Sequence, residues 1–308
     1  MPFFSVVIPI YNKQFFIENT LKSLLDQDFR DFEVIIINDG STDESEKIVL
    51  GFDDPRIRYF SQINQGVALA RNHGFEKATA RYIAFLDADD FWHPDFLEVM
   101  HQYILRLPEQ KVFASAIEIG TSKTIFEPVY SIKKTGDYAI VDYFEASVKE
   151  SVIWTSSAVF ERSVFEQAGT FDPKIKISED TDLWIRIGLL FPVVFIWKVL
   201  ARYVYDESSI SRSADYLFRD ESFTKYENEE KQHPKLKKFL DLNRFSAAIK
   251  SKLIGDNRTF FKYKQAIDPQ NLNIRKRILL ELPAFMLQFL IRIKTFLANI
   301  GLGNAVFK

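Results

Sequence analysis

The chain has 308 residues, 47% hydrophobic and 27% charged, a composition that excludes disorder and collagen-like repeats and suits one large domain or two of modest size. Cysteine is absent, which excludes disulfides, thiolate metal sites and cysteine nucleophiles and agrees with a reducing cytosol. The net charge of -2 conceals an asymmetry, because residues 231–308 carry 16 Lys and Arg against 4 Asp and Glu, while the preceding part is acidic.

The first strand is expected over Phe3 to Ile8; its apolar start has no cationic segment or small-residue cleavage site and so does not read as a signal peptide. Ile17, Leu21, Leu24 and Leu25 recur at helical spacing, and Glu33 to Ile37 is a second strand without polar alternation, as expected where both faces are buried. Gly40 then permits a tight turn, with Ser41 and Glu44 spaced as a capping box. Ile57 to Ser61 is a third strand, Val67 to Ala78 a helix and Arg81 to Leu86 a fourth strand, followed by Asp87-Ala88-Asp89-Asp90 and a helix that starts with Pro94 at its first position. Further on, β-rich runs fall near 111–117, 124–130, 152–160 and 193–205, with helices over 139–148, 162–168 and 180–190. Residues 216–308 read as helical. The alternation of strands and helices predicts an α/β protein with a mostly parallel central sheet.

Acidic residues stand where strands end, and ligands of open α/β sheets bind outside the carboxyl ends of the strands. Asp39 follows the second strand and Asp87 the fourth. Along an extended strand end Asp87 and Asp89 point to one side and can share a Mg²⁺ or Mn²⁺ ion, with phosphate oxygens and waters completing its shell. Taken alone, the run equally suits an acidic helix N-cap before Pro94. The four His residues lack metal-ligand spacing, and there is no His-Glu-x-x-His, Walker loop, Gly-x-Ser-x-Gly elbow or dinucleotide fingerprint.

Five blocks decide between these readings. Ser5 to Asn12, Val34 to Asp43, Asn64-Gln65-Gly66 with Ala70 to Gly74, and Tyr82 to Asp90 closely resemble family 2 glycosyltransferases of GT-A fold. Gly169-Thr170-Phe171-Asp172 with Ser178-Glu179-Asp180-Thr181-Asp182 is similar to the acceptor-side Glu-Asp motif of the same family. The resemblance covers residues 4–188 and implies a hexosyltransferase-type enzyme with a catalytic domain over 1–215 and a helical extension over 216–308. By this similarity Pro9, Tyr11 and Asn12 line a nucleotide pocket, Asp39 accepts from the base, Arg71 lies close to the nucleotide phosphates, and Asp87 and Ala88 contact the donor. Asp87 and Asp89 would hold a divalent cation that binds the diphosphate.

Asp180 is implied as the general base that takes the proton of an attacking sugar hydroxyl, with Glu179 as runner-up. Asp182 would cap or orient its helix and Asp90 would act as a cap. Without the resemblance, Arg71 reads as a surface salt bridge and the acidic cluster as helix N-terminal stabilisation. Many relatives carry a His after the last core strands; here Asp206 stands in its place, an oxygen ligand for a metal, with Arg212 near by. Trp154 suits sugar stacking on the acceptor side, although core packing is the ordinary use of an aromatic. The implied reaction moves a sugar from a nucleotide diphosphate donor, a UDP-sugar, to a glycan or lipid-linked glycan with inversion. The rivals are a sugar-nucleotidyltransferase, which should show a Gly-rich activating loop where this chain has Pro9 to Lys13, and a non-catalytic binding protein of the same fold.

In residues 278–299, Glu281, Gln288, Arg292, Thr295 and Asn299 fall on one narrow helical stripe and the remainder is largely apolar. The uncharged run from Leu282 to Ile291 is ten residues, short of the roughly 20 needed to span a bilayer. With Arg275-Lys276-Arg277 beside it, the segment reads as a helix lying on an anionic membrane, the protein being peripheral on the inner face of the cytoplasmic membrane. Packing onto the catalytic domain or a second copy is the alternative, and nucleic acid is not expected as a partner.

Overall fold

The computed structural model describes residues 1–121, 124–205, 223 and 225–299, with side chains to residue 293. It forms two compact units, Met1–Glu207 and Ser208–Lys308. The boundary expected at 215 lies outside the described residues.

The first unit is built on strands β1 (Phe4–Ile10) and β2 (Phe32–Asn38), in which every residue is buried. Both faces are covered, which is why neither strand alternates apolar with polar. β1 pairs in parallel with β2 and with β4 (Tyr82–Phe85), and β2 with β3 (Ile57–Ser61). In the register Ile10 lies opposite Asn38, so the loops that follow β1 and β2 leave the sheet at one level.

The sheet continues from β4 through β9 (Ala158–Glu161), β6 (Val112–Gly120) and β10 (Val193–Val204) to β5 (Phe91–Trp92). β9 runs antiparallel to both of its neighbours and so interrupts the parallel run at β4, and beyond it β6 and β10 pair in parallel again. Helices α1 (Ile17–Leu25), α2 (Ser45–Leu50) and α3 (Val67–Lys77) connect the parallel strands. Gly74 explains how close α3 comes to the sheet, because a Cβ there would stand 2.2 Å from Val7 Cγ1.

Four sequence expectations need correction. Ser41 and Glu44 form no capping box: Ser41 Oγ accepts from Asn12 N at 3.1 Å, and the first turn of α2 is held instead by Asp43 Oδ1, which accepts from Ser45 N at 3.0 Å. Pro94 precedes helix α4 (Phe96–Arg106) rather than opening it. The cause is β5, which pairs with β10 and carries His93 N to Leu200 O at 2.9 Å before the helix can start. Over 139–148 the structure has strand β8 (Tyr138–Val141), paired with β10, and only then the short helix α5 (Tyr143–Ala146), capped by Asp142. Edge pairing wins there over helical periodicity. Of the run near 124–130, only β7 (Ile125–Phe126) is a strand.

Among its described residues the second unit is helical, with α8 (Glu229–Gln232), α9 (Pro234–Leu253), α10 (Asn257–Ala266), α11 (Ile274–Glu281) and α12 (Ala284–Asn299). α9 packs against the other four. It buries Arg244 and Asp241, and the guanidinium donates to Glu230 Oε2 at 2.6 Å, Asp241 Oδ1 at 3.2 Å and Phe223 O at 2.6 Å. Asp241 Oδ2 in turn accepts from Asp268 N and Asn271 Nδ2. The charges of Arg244 and Asp241 at the centre of the unit are thereby paired, as buried ions require.

Candidate active site

The carboxyl ends of β1, β2 and β4 bring Pro9, Tyr11 and Asn12, then Asp39, then Asp87 to one edge of the sheet. Asn12 has φ 53°, in the left-handed region that Asn tolerates better than most residues. Its Oδ1 accepts from Thr42 N at 2.8 Å, which locks the loop after β1 to the loop after β2. Tyr11, immediately before it, remains exposed.

Asp39 is buried, and its carboxylate accepts from Gln62 Nε2 at 2.7 Å, Gln65 N at 2.9 Å and Gly66 N at 2.8 Å. It therefore fastens the loop that leads into α3. Gly66 has φ 94°, so the turn needs a glycine as well as the carboxylate.

α3 carries Arg71 into the interior, where it is 4% exposed. The alternative reading of Arg71 as a surface salt bridge is thereby excluded. Its Nη2 donates to Asp87 Oδ1 at 2.7 Å and its Nη1 to Glu179 Oε1 at 2.8 Å. Burial works against the guanidinium charge, but Asp87 and then Glu179 outweigh it and raise the pKa above the ordinary arginine value. The Phe171 ring lies 5.1 Å from the guanidinium, within cation–π range.

Phe171 is itself held by the neighbour of Arg71. Asn72 Oδ1 accepts from Phe171 N at 3.0 Å and its Nδ2 donates to Phe171 O at 2.8 Å. The Ala-Arg-Asn block and the Gly-Thr-Phe-Asp block, distant in sequence, form one packed unit.

Asp87 to Asp90 depart from the strand geometry expected of them. Asp90 N donates to Asp87 O at 2.9 Å, closing a turn rather than continuing β4. The alternation argument for Asp87 and Asp89 therefore fails, and the two carboxylates meet different cations: Asp87 meets Arg71, while Asp89 forms an ion pair with Lys13. Burial first, and then the charge of Asp87, raise the pKa of Asp89, against the opposing effect of Lys13.

Ala88 is buried, with its carbonyl accepting from Thr20 Oγ1 at 3.0 Å. Asp90, expected as a cap, caps no helix; it is buried, accepting from Ser156 Oγ at 2.5 Å and Val204 N at 3.1 Å, so that it ties the turn to the start of β9 and the end of β10. Burial, reinforced by Asp89 and Asp87, pushes its carboxyl well above the usual range. A half-open cavity of about 620 Å³ reaches Asp89 and Asp90 from the side of α1, with Phe16, Phe91 and Arg202 in its walls.

Glu179 and Asp180 open helix α7 (Glu179–Gly188), after Ser178 at φ 59°. Burial and then Asp180 raise the pKa of Glu179, with Arg71 pulling it down. Asp180 is half-buried, and its Oδ1 accepts from Thr181 N and Thr181 Oγ1, so this acid also stabilises its own helix start. Asp182 is fully buried and binds Arg186 Nη2 at 2.9 Å. Arg186 in turn donates to Ala168 O and Thr170 O, so Asp182 orients the helix and fixes the segment that presents Phe171. Trp154 packs on Tyr203 with ring centroids 4.9 Å apart.

Asp206 and Arg212 lie outside the described residues. Among the described residues no group of three His, Cys, Asp or Glu side chains stands ready to hold a metal. Asp87 and Asp89 fit Mg²⁺ or Mn²⁺ only as a partial shell, to be completed by phosphate oxygens and water, which is how such ions commonly bind beside one or two carboxylates. Sequence reasoning missed Lys13, Asn72, Phe171 and Ser156 as parts of the site. Only the Ala-Arg-Asn and Gly-Thr-Phe-Asp blocks offered a signal, and it pointed to a family rather than to a contact.

The model of glycosyl transferase family 2 matches residues 5–169, more than half of the chain. The chain belongs to that family. A Rickettsia felis uncharacterized glycosyltransferase is 34% identical over 189 residues, 60% of this family 2 chain but 30% of the relative's length. The Bacillus subtilis (strain 168) protein TuaG, a putative teichuronic acid biosynthesis glycosyltransferase, is 30% identical over 190 residues, covering 60% of this chain and 72% of TuaG. Among solved structures, S. aureus TarS 1-349 in complex with UDP-GlcNAc superposes with a TM-score of 0.72 at 18% identity, over 87% of this chain and 82% of that one. At that identity the likeness is one of fold, and the fold is GT-A.

Proposed function

We propose that the chain transfers a sugar from a nucleotide diphosphate donor, a UDP-sugar, to a hydroxyl of a glycan or lipid-linked glycan with inversion. The observation that carries this reading is Arg71, whose guanidinium binds Asp87 in the turn after β4 and Glu179 at the start of α7. The two acidic motifs, one assigned to the donor and one to the acceptor, thereby meet at one cation. The loops after β1 and β2 frame the base pocket with Pro9, Tyr11, Asn12 and Asp39, and Arg71, its fork held by Asp87 and Glu179, places a fixed positive charge close to the diphosphate. Asp87 and Asp89, with phosphate oxygens, would hold Mn²⁺ or Mg²⁺, which supplies Lewis-acid stabilisation of the leaving diphosphate.

Asp180 accepts the proton of the acceptor hydroxyl as its oxygen bonds to the anomeric carbon. The bond from that carbon to the donor phosphate breaks, and the nucleoside diphosphate leaves with the electron pair. One displacement from the opposite face inverts the centre. The UDP-GlcNAc complex of TarS favours a UDP-sugar, and the name of TuaG favours an acceptor that belongs to a cell-surface polysaccharide.

The second unit supports attachment to an anionic membrane surface. Leu287 is the buried anchor of α12, while Phe285, Met286, Phe289, Leu290 and Ile293 are exposed on its other side. Arg292 lies beside that face and Arg275 and Arg277 on α11 are exposed, so apolar insertion and attraction to lipid headgroups have groups to act through. Among the described residues no helix is long and apolar enough to cross a membrane.

The test is a calorimetric screen of UDP-, GDP- and dTDP-sugars with Mn²⁺ and with EDTA, followed by product analysis of acceptor trials with the donor that binds. UDP-sugar binding together with an inverted glycosidic product supports the reading. Binding of a nucleoside triphosphate with release of pyrophosphate would replace it with nucleotidyl transfer.

A further inference from the structure

Asp89 already carries a cation. Lys13 Nζ pairs with its Oδ2 across 76 positions of sequence. The backbone that presents this lysine is fixed at three successive N–H groups: Asn12 N donates to Ser41 Oγ at 3.1 Å, Lys13 N to Ser45 Oγ at 2.7 Å and Gln14 N to Asp43 Oδ2 at 3.0 Å. The loop after β2 thus clamps the loop after β1, and Asn12 at φ 53° turns the chain there. Beyond that clamp Lys13 has a four-carbon stem and a side chain that is 25% exposed. Arg71 is the contrasting case, held at two carboxylates and covered by Phe171. Of the two cations on the Asp-x-Asp turn, one is immobilised and the other is tethered by a stem able to swing.

We propose that Lys13 is the resident counter-ion of Asp89, filling the cation position while no donor is bound, and that its ammonium moves to the donor diphosphate when a divalent cation takes Asp89. The proposal rests on the donor and metal reading above. A divalent ion and an ammonium repel each other at one carboxylate, and the singly charged group on the flexible stem is the one that yields. A diphosphate bound outside the same strand ends is the negative charge within reach of that stem. Lys13 is in this sense a positioning residue: it keeps the half-buried Asp89 carboxylate compensated before the donor arrives and adds positive charge at the leaving group afterwards.

The experiment uses the full chain and, first, Mn²⁺ alone, with free ion followed by electron paramagnetic resonance. Lys13→Met should bind Mn²⁺ about tenfold more tightly than wild type, because the competing cation is gone, while Lys13→Arg, which keeps the charge, should stay near wild type. A merely structural lysine would give weaker binding on removal, or no change, and either result overturns the proposal. Second, at saturating Mn²⁺, Lys13→Met should bind UDP roughly three- to tenfold more weakly. Unchanged UDP affinity would sink the transfer of Lys13 to the diphosphate. Asp89→Asn separates this idea from the metal reading. Loss of Mn²⁺-dependent UDP binding in Asp89→Asn upholds the cation on Asp89 whatever Lys13 does, and retention removes the cation from Asp89 and overturns both.

Discussion

Arg71 and Glu179 stand 108 positions apart and are joined by a hydrogen bond of 2.8 Å, with Arg71 buried and Phe171 over its guanidinium. The second arm of the same side chain holds Asp87 at 2.7 Å. A buried arginine with two carboxylate partners is costly to remove, because its loss leaves both acids without their counter-charge. Arg71→Met should therefore destabilise the protein by about 3 kcal/mol or more. Arg71→Lys keeps a charge but cannot fork to both acids, so it should recover part of the stability and little of the UDP affinity. Thermal melts paired with calorimetry separate the two effects, and full UDP affinity in Arg71→Lys would show that donor binding does not need the fork that joins Asp87 to Glu179.

Asp180→Asn should leave UDP binding close to wild type and lower turnover by about a hundredfold or more, the usual scale for losing a general base. Donor calorimetry and single-turnover rates check this. If activity survives in Asp180→Asn and disappears in Glu179→Gln, the base is Glu179, and the Arg71 contact is then part of its environment.

Glu33 provides a pH test far from the site. Burial acts to raise its pKa, but hydrogen bonds from Ser5, Thr79 and Arg58 outweigh burial and hold it below the ordinary glutamate value. A carboxyl with a depressed folded pKa stabilises the fold above its unfolded pKa and loses that contribution as pH falls through the folded value. Glu33→Gln should thus lower the melting temperature at neutral pH. The gap to wild type should narrow once the pH drops below the ordinary glutamate value of about 4.3. A gap that stays constant from pH 7 to acid conditions would mean that the charge of Glu33 contributes nothing.

Gly74→Ala tests the fit of α3 on the sheet. The added methyl would stand 2.2 Å from Val7 Cγ1, so either the helix or the strand must move. A loss of about 1–3 kcal/mol is expected, the ordinary range for overpacking. Urea unfolding measures it. Because α3 also carries Arg71, UDP affinity should fall in the same variant.

The exposed face of α12 predicts binding to vesicles that contain anionic lipid, at low salt, and weaker binding to neutral ones. Phe289→Glu should abolish sedimentation with vesicles and leave UDP affinity unchanged, since Phe289 is 63% exposed and in the second unit. If the chain of residues 1–308 ignores anionic vesicles, the membrane role is ruled out, and a change in oligomeric state on Phe289→Glu would assign the face to a second copy.

Sequence by itself determined the family, the strand order of events along the first hundred residues and the identity of most charged groups at the strand ends. Buried parallel strands announce themselves as unbroken apolar runs, as in β1 and β2, and Ile57 to Ser61 was bounded to the residue. Local signals also placed the acids at the strand ends, but the same residues suit helix N-caps, and the family blocks alone chose between the two readings.

Tertiary structure decided the partners of those charges. That Asp87 faces Arg71 while Asp89 faces Lys13 depends on a turn closed by Asp90 and on a clamp between two loops, neither of which has a period in the sequence. Asp90 looked like a helix cap and is a buried strut, since Ser156 and Val204 reach it only when β9 and β10 are in place. The same applies to Tyr138–Val141, which has helical neighbours in sequence but pairs with β10 at the sheet edge. Short-range preferences amount to tenths of a kcal/mol per residue, roughly, whereas leaving a buried charge or hydrogen-bonding group without its partner costs about 1–5 kcal/mol, so contacts made at long range override them.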